Sequence, residues 1–243
     1  MHRKVFLEVN DTDMVYREVP NKNFIFNLFN SRVINKNIVS IKGIKVNLKN
    51  RNLVILAHGE EVYVMLMKLP RVSRTNIFKI IREELKNKFK RTDDIMFSYD
   101  IIRRCKYNLE VMVFCMNYRN GKVIEECHNA GFHIAGIVPI QFYIWENYKD
   151  KIKSENYIFV LMRNEVLYFI ACHKCKMIFN NVFKNIKKDD FFDILEQFQM
   201  KLSILMTDFK FTYIYFVGFP YKDTIEEVSK QYICKDFGKF IVK

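Results

Sequence analysis

The sequence predicts an α/β protein of two lobes, and three observations carry that prediction. Runs of β-forming residues lead into a helix and then a further strand, and this order of elements occurs twice, with the join near residue 150. Half of the 243 residues are apolar, enough to bury a substantial core. Only seven are glycine and four proline, so the chain has little of the composition of a linker or a disordered tail. The division expected from this order is 1–150 for the first lobe and 151–243 for the second.

The elements follow in order. Residues 4–9 (KVFLEV) and 14–19 (MVYREV) are β-rich runs around the turn-forming NDTD, a hairpin with Asn10 to Asp13 at its tip. A third run spans Phe24 to Phe29, and a short helix is expected near Ile38 to Leu48. Leu53 to Leu56 and Glu61 to Leu69 read as a second hairpin around His58-Gly59. Pro70 closes that strand, and Ser73 can cap a helix in which Ile77, Ile81, Leu85 and Phe89 recur every fourth position. Its other face carries Lys79, Arg82, Glu83, Lys86 and Lys90. Strands at Ile95 to Arg103 and Leu109 to Asn117 precede a helix from Asn120 to Ala130, which Gly131 can end in the left-handed conformation. HIAGIVPIQF then reads as a strand turning into a helix at Gln141 to Asn147.

The second half starts again with strands at Tyr157 to Met162, Val166 to Cys172 and Lys176 to Phe179. A helix from Asp189 to Met206 follows, with Phe192, Leu195, Phe198, Leu202 and Leu205 expected inward. The apolar run Thr212 to Val217, then Gly218, leads to a last helix near Thr224 to Gln231.

Bulk properties narrow the function classes. No uninterrupted apolar run reaches about 18 residues, and the start MHRKVFLEVNDTDMV lacks the long apolar stretch of a secretory signal, so a cytoplasmic protein is expected. The six cysteines (Cys105, Cys115, Cys127, Cys172, Cys175, Cys234) are irregularly spaced and read as reduced. A formal charge of +13 attracts phosphate, but the lysines are spread along the chain in a Lys-, Asn-, Ile- and Phe-rich composition. A solvated basic surface, an acidic partner and an anionic membrane surface all remain open.

The run VMLMKLPRVSRTNIFKIIREELKNKF resembles PilM, the actin-like protein of type IV pilus assembly, where a strand ends in Leu-Pro and an acidic and apolar helix follows. FSYDII fits the strand after that helix. ECHNAGFHIAGIVPIQF resembles the helix, Ala-Gly, strand and Pro that join the two lobes in PilM and in the cytoplasmic part of the type II secretion protein GspL. The likeness in element order covers most of the chain. It implies an actin/hexokinase-type, ribonuclease H-like two-lobed fold, reduced in size, with a helix-bearing subdomain inserted in the first lobe. It also implies recruitment of a tail from a bitopic membrane protein such as PilN, at the inner face of the cell membrane.

The departures from the family pattern bear on nucleotide binding. Members that bind ATP begin with Asp-x-Gly and small hydroxyl residues, because a glycine turn lets backbone N–H groups approach phosphate. The same place here reads Glu8-Val9-Asn10-Asp11-Thr12-Asp13, without the glycine and with added carboxylates. The second phosphate hairpin corresponds to Phe159 to Glu165, where Leu161 and Arg163 stand without the Asp and Gly of the family. The glycine pair beneath adenine survives only as Gly218. The resemblance with these losses implies a scaffold that has kept the fold for its surface, with no enzyme activity and no cofactor. Leu69 and Pro70, with Lys79, Arg82 and Lys86, are the residues expected to flank a groove for the partner's tail.

Other constellations compete with plain structural explanations. Cys172-His173-Lys174-Cys175 places two thiols at a hairpin tip, yet no further ligands are spaced to complete a metal site. The five histidines fall in no nucleophile motif. Asp93-Asp94 and Asp189-Asp190 stand where helix ends are expected and read as caps. Basic residues interleaved with aromatics, as in RRCKYNL and KQYICKDF, could stack bases, but the glycine-aromatic signature of an RNA-binding sheet is missing. An active actin-like ATP-binding protein and a basic nucleic-acid-binding module are the two rival readings.

Overall fold

A computed structural model describes residues 3–10, 13–18, 34–38, 41, 51–89, 95–118, 121–207 and 209–240. The described residues fall into two compact units. The first gathers 1–59, 120–153 and 239–243, and the second 60–119 and 154–238. One boundary, between Lys153 and Ser154, lies near the division expected from chain order. Residues 60–119, which chain order puts in the first lobe, associate by contact with 154–238.

In the first unit β1 (Arg3–Val9) and β2 (Met14–Glu18) form the expected hairpin, pairing antiparallel from Val5 opposite Glu18 to Val9 opposite Met14. A strand not read from the sequence, β3 (Ile34–Ile38), extends that sheet beyond β2. The strand expected at Phe24 to Phe29 lies outside the described residues, as does most of the helix expected from Ile38 to Leu48; Ile38 itself ends β3.

β4 (Arg51–Ala57) corrects the expected second hairpin. It runs parallel to β1 on one side and to β8 (His133–Pro139) on the other, and makes no ladder with the strand that follows Gly59. Leu53, Val54, Ile55, Leu56 and Ala57 are all buried, so β4 is covered on both faces. Such a strand reads as a continuous apolar run and finds its partners far along the chain. α2 (Gly121–Asn129) ends at Gly131, whose φ of 81° lets its N–H donate to the His128 carbonyl at 2.9 Å, while the Phe132 N–H reaches the Cys127 carbonyl at 2.9 Å. α3 (Ile140–Tyr148) starts directly after Pro139 and buries Ile140, Gln141, Ile144 and Tyr148.

The second unit contains two sheets. β5 (Val62–Pro70), β7 (Asn108–Asn117) and β6 (Ile95–Arg104) form an antiparallel sheet in the order β5-β7-β6. α1 (Arg74–Phe89) covers one face, as its four-residue period requires. Ile77, Ile81 and Leu85 are at most 2% exposed against Leu69, Leu109, Val111 and Val113. Each contributes about 1.5–3 kcal/mol by its removal from water. Ser73 Oγ accepts the Asn76 N–H at 3.4 Å, the expected cap.

The five-stranded sheet has the order β11-β10-β9-β12-β13. β9 (Tyr157–Arg163), β10 (Val166–His173) and β11 (Lys176–Lys184) are joined by two-residue turns at Asn164-Glu165 and Lys174-Cys175, all four with φ between 50° and 60°. Positive φ at both positions marks a turn whose twist matches the hairpin. β12 (Tyr213–Val217) and the unforeseen β13 (Ile233–Asp236) add in parallel.

α4 (Phe191–Leu205) lays Phe191, Ile194, Leu195, Phe198 and Leu202 on this sheet. Phe192 and Leu205, expected inward, are instead 45% and 63% exposed. The apolar side is centred one residue earlier than the sequence suggests, because Phe191 stacks on Phe169 and packs on Phe219. α5 (Lys222–Val228) closes the unit with Thr224 and Val228 buried. The two sheets meet where Asn180 of β11 acts as a piece of backbone. Its Oδ1 accepts the Val62 N–H at 3.3 Å and its Nδ2 donates to the Val62 carbonyl, both buried.

Candidate functional site

The three stations at which the family pattern places nucleotide loops each have a geometry of their own. At the first hairpin the Asn10 N–H donates to the Asp13 carbonyl at 3.1 Å, and Asn10 Oδ1 accepts the Asp13 N–H at 2.6 Å. The side chain of Asn10 thus closes the turn that a glycine would otherwise shape. Asp11 and Thr12 lie outside the described residues.

Glu8, which stands where the family pattern begins with aspartate, is turned into the core of the first unit. Its residue is 3% exposed. Oε1 accepts from Arg17 Nε at 2.8 Å, and Oε2 stands 3.5 Å from Nε2 of the buried His58. Arg17 comes from β2, opposite Phe6 in the hairpin, and His58 follows β4, where its backbone N–H donates to the Val9 carbonyl at 2.9 Å. A buried carboxylate requires such partners, and β2 and the end of β4 supply them. The Tyr143 hydroxyl on α3 is pushed above its ordinary pKa, first by burial and then by the negative charge of Glu8.

At the second hairpin Leu161 is 1% exposed in β9, and Arg163 pairs with Val166 at the base of the tight Asn164-Glu165 turn. Two residues with side chains hold positive φ there, at a cost of roughly 1 kcal/mol each where glycine would adopt it freely.

At the third station Gly218 has φ +64°, and a Cβ on it would lie 2.5 Å from the Met162 carbonyl oxygen. Its N–H donates to the Gly238 carbonyl at 2.7 Å. The close approach of the chain leaving β12 to Met162 of its neighbour β9 therefore demands a glycine at this position without reference to a ligand.

The residues expected at a partner groove separate on the structure. Leu69 is 4% exposed in the core beneath α1, with its backbone paired to Leu109, so its side chain is not at a surface. Pro70 is exposed. Lys79, Arg82 and Lys86 are exposed on the side of α1 away from Ile77, Ile81 and Leu85, and Lys86 pairs with Glu83 at 2.7 Å. Arg82 lies one turn beyond Phe78, whose ring stacks on Phe97 of β6 at 4.6 Å.

Sequence reasoning passed over the opposite face of this sheet. There Val62, Met116 and Met96 align, then Val64, Phe114 and Ser98, then Leu66, Met112 and Asp100. Leu66 is 64% exposed and Met96 38%. The signal was present in VYVMLM, the first six residues of β5, where both alternating sets of positions are apolar. Methionine suits a surface that adapts to apolar partners. Among the described residues β6 pairs with β7 alone, which leaves its other edge open.

The remaining candidates sit as follows. Cys172 is buried and Cys175 exposed in the Lys174-Cys175 turn. Asp190 Oδ2 accepts the Lys187 N–H at 2.9 Å, the capping role expected of the Asp189-Asp190 pair. Asp93-Asp94 lies outside the described residues. Among the described residues no three His, Cys, Asp or Glu side chains gather as a metal site, and no helix is long and apolar enough to cross a membrane.

Comparison with known proteins gives a fold. No family model matches the chain, and no curated protein matches it in sequence. Among solved structures it is similar to the PilM-PilN type IV pilus biogenesis complex, at TM-score 0.67 and 9% identity over 98% of this chain and 88% of that one. It is also similar to a Bacteroides thetaiotaomicron protein with an actin-like ATPase fold and unknown function, at TM-score 0.53 and 9% identity over 98% and 91%. The third is the cytoplasmic domain of EpsL, an inner membrane component of the type II secretion system of Vibrio cholerae, at TM-score 0.51 and 9% identity over 88% and 81%. The actin-like architecture expected from the sequence is the one found.

Proposed function

We propose that this chain is a non-catalytic scaffold of a pilus or secretion assembly platform, held at the inner face of the cell membrane by the cytoplasmic tail of a bitopic protein. The observation that carries the proposal is the pairing of an actin-like fold, most of whose length superposes on a pilus biogenesis protein, with phosphate stations whose groups are engaged internally. Glu8 is held by Arg17 beside His58, and Gly218 is required by the Met162 carbonyl. The open edge of β6 offers a row of backbone groups to an extended tail, with Met96 on the adjoining face for its apolar side chains. Lys79 and Arg82 supply charge on α1 for acidic positions of such a tail.

Two measurements test the reading. Binding of a fluorescent ATP analogue with magnesium is expected to be absent into the millimolar range, and saturable micromolar affinity reverses the proposal. Co-purification with a bitopic inner-membrane protein of the pilus or secretion class is expected to depend on its cytoplasmic tail. Retention of the complex after deletion of that tail counts against the proposed mode of docking.

A further inference from the structure

One end of the five-stranded sheet in the second unit exposes apolar side chains that the scaffold reading does not use. Tyr157, Cys172, Met177, Tyr213 and Ile233 lie in one row across the strands, and that row marks the end where β9, β12 and β13 begin. α4 finishes at the same end, since the chain that leaves it at Leu205 brings the Phe209 ring to His173 at the end of β10. Here Ile204 is 81% exposed, Leu205 63%, Ile233 53% and Tyr213 37%, and Met200, one turn back on α4, is 60% exposed. Three elements, α4, β12 and β13, thus present large apolar groups at this end, Tyr213 and Ile233 from the face of the sheet away from α4. Exposed Lys174, Lys176, Lys210 and Lys230 stand among them. The described carboxylates at this end include Glu155, Glu226 and Glu227, the last paired with Lys230 at 2.5 Å.

We propose that this end of the second unit is a contact surface for an anionic lipid bilayer, with Ile204, Leu205 and Ile233 entering the headgroup region and Lys174, Lys176 and Lys210 meeting lipid phosphates. Charge decides the occupant. A second copy would bring one chain of formal charge +13 against another, whereas a bilayer rich in acidic lipid attracts the same field. Lysine is depleted in the cores of protein interfaces, while its long stem suits the depth at which apolar tips enter a membrane and the ammonium remains with phosphate. Protruding apolar residues ringed by lysines are the composition of a surface that lies on a membrane without spanning it. The inference rests on the proposed placement at the membrane and is independent of tail binding.

Flotation of the purified full chain with phosphatidylcholine vesicles, with and without phosphatidylglycerol, tests this. Binding is expected only with the acidic lipid, weakening as salt rises. The double substitution Ile204→Ser with Leu205→Ser is expected to lower affinity at least about tenfold, because two large apolar side chains no longer leave water. Lys174→Gln, Lys176→Gln and Lys210→Gln are each expected to lower it about fivefold. All five positions are exposed, and an unchanged circular dichroism spectrum checks that the fold is kept. No binding to acidic vesicles overturns the inference, as does binding that the Ile204/Leu205 pair leaves unchanged, which would assign it to diffuse charge. A dimer in solution that this double variant dissociates, with no vesicle binding, assigns the surface to a second copy and overturns it equally. Since the vesicles carry no protein, each of these failures leaves the tail-binding reading intact.

Discussion

Replacing Gly218 by alanine isolates the close approach of two backbones that the structure places at the third nucleotide station. Two costs combine. At φ +64° an L side chain pays roughly 1–2 kcal/mol for the left-handed conformation. The added Cβ would also lie 2.5 Å from the Met162 carbonyl, an atom held in β9 between β10 and β12 and unable to swing aside as a side chain tip can. Forcing a methyl into such a site costs about 1–3 kcal/mol. The sum of about 2–5 kcal/mol corresponds to a drop in Tm of roughly 5–15 °C for a chain of this size. Gly238→Ala is the control, because its φ is +73° but nothing lies within 4 Å of its Cβ position. It carries the conformational term without the clash. Urea unfolding followed by far-UV circular dichroism compares the two variants. If Gly218→Ala proves no more destabilising than Gly238→Ala, the argument that β9 alone demands this glycine fails.

The other predictions concern buried polar and thiol groups. Asn180→Leu should cost about 2–4 kcal/mol in urea unfolding, since it removes from a buried site the groups that meet both the Val62 N–H and the Val62 carbonyl; native-state hydrogen exchange at the Val62 amide should accelerate. Arg17→Met should cost about 2–3 kcal/mol by withdrawing the cation at 2.8 Å from buried Glu8, as a chevron or equilibrium melt will register. Burial raises the Cys115 thiol from 9.0 to about 11, opposed by Lys88, and burial with the charge of Glu126 raises Cys127 from 9.0 to about 12. These protons are held in the folded state and lost from the unfolded chain above pH 9, so stability is expected to fall from about pH 9 to about pH 11 through Cys115 and to about pH 12 through Cys127, by roughly 1.4 kcal/mol per thiol at pH 10. Changing both residues to alanine should flatten that alkaline limb. Under native conditions Cys175, exposed in its turn, should react with a thiol reagent well before Cys115 or Cys127.

Where local pattern and final structure agree, the signal lay within a few residues. α1 was legible because Ile77, Ile81 and Leu85 repeat at helical spacing behind a capping Ser73, and the end of α2 because Gly131 stands two residues beyond it. The hairpin expected around His58-Gly59 was lost because β4 has two apolar faces to cover. Its parallel partners β1 and β8 lie some 50 and 80 residues away in sequence, as Leu53 opposite Val5 and Ile134 shows. In α4 the neighbouring Phe191 and Phe192 left the phase of the helix undecided until Phe169 and Phe219 took the first of them. β13, four residues long with two exposed, carries too little periodicity to be read.

The candidate site divides in the same way. Absence of glycine at Asn10 and at Asn164-Glu165 is a property of the chain and could be read from it. The inward turn of Glu8 could not, because Arg17 and His58 reach it from β2 and from the end of β4 only once the sheet has formed. Nor could the reason for Gly218, which lies in a carbonyl oxygen 56 residues earlier in the chain, at Met162.

By itself the sequence determined the alternation of strands and helices, the inward face of α1 and the loss of glycine from two of the three expected loops, all of which depend on neighbours within one or two turns. Tertiary structure alone decided which strands pair, which phase of α4 is buried, and what surrounds Glu8, Asn180 and Gly218. Those outcomes are set by contacts between segments far apart along the chain, where burial and hydrogen-bond satisfaction outweigh local preference.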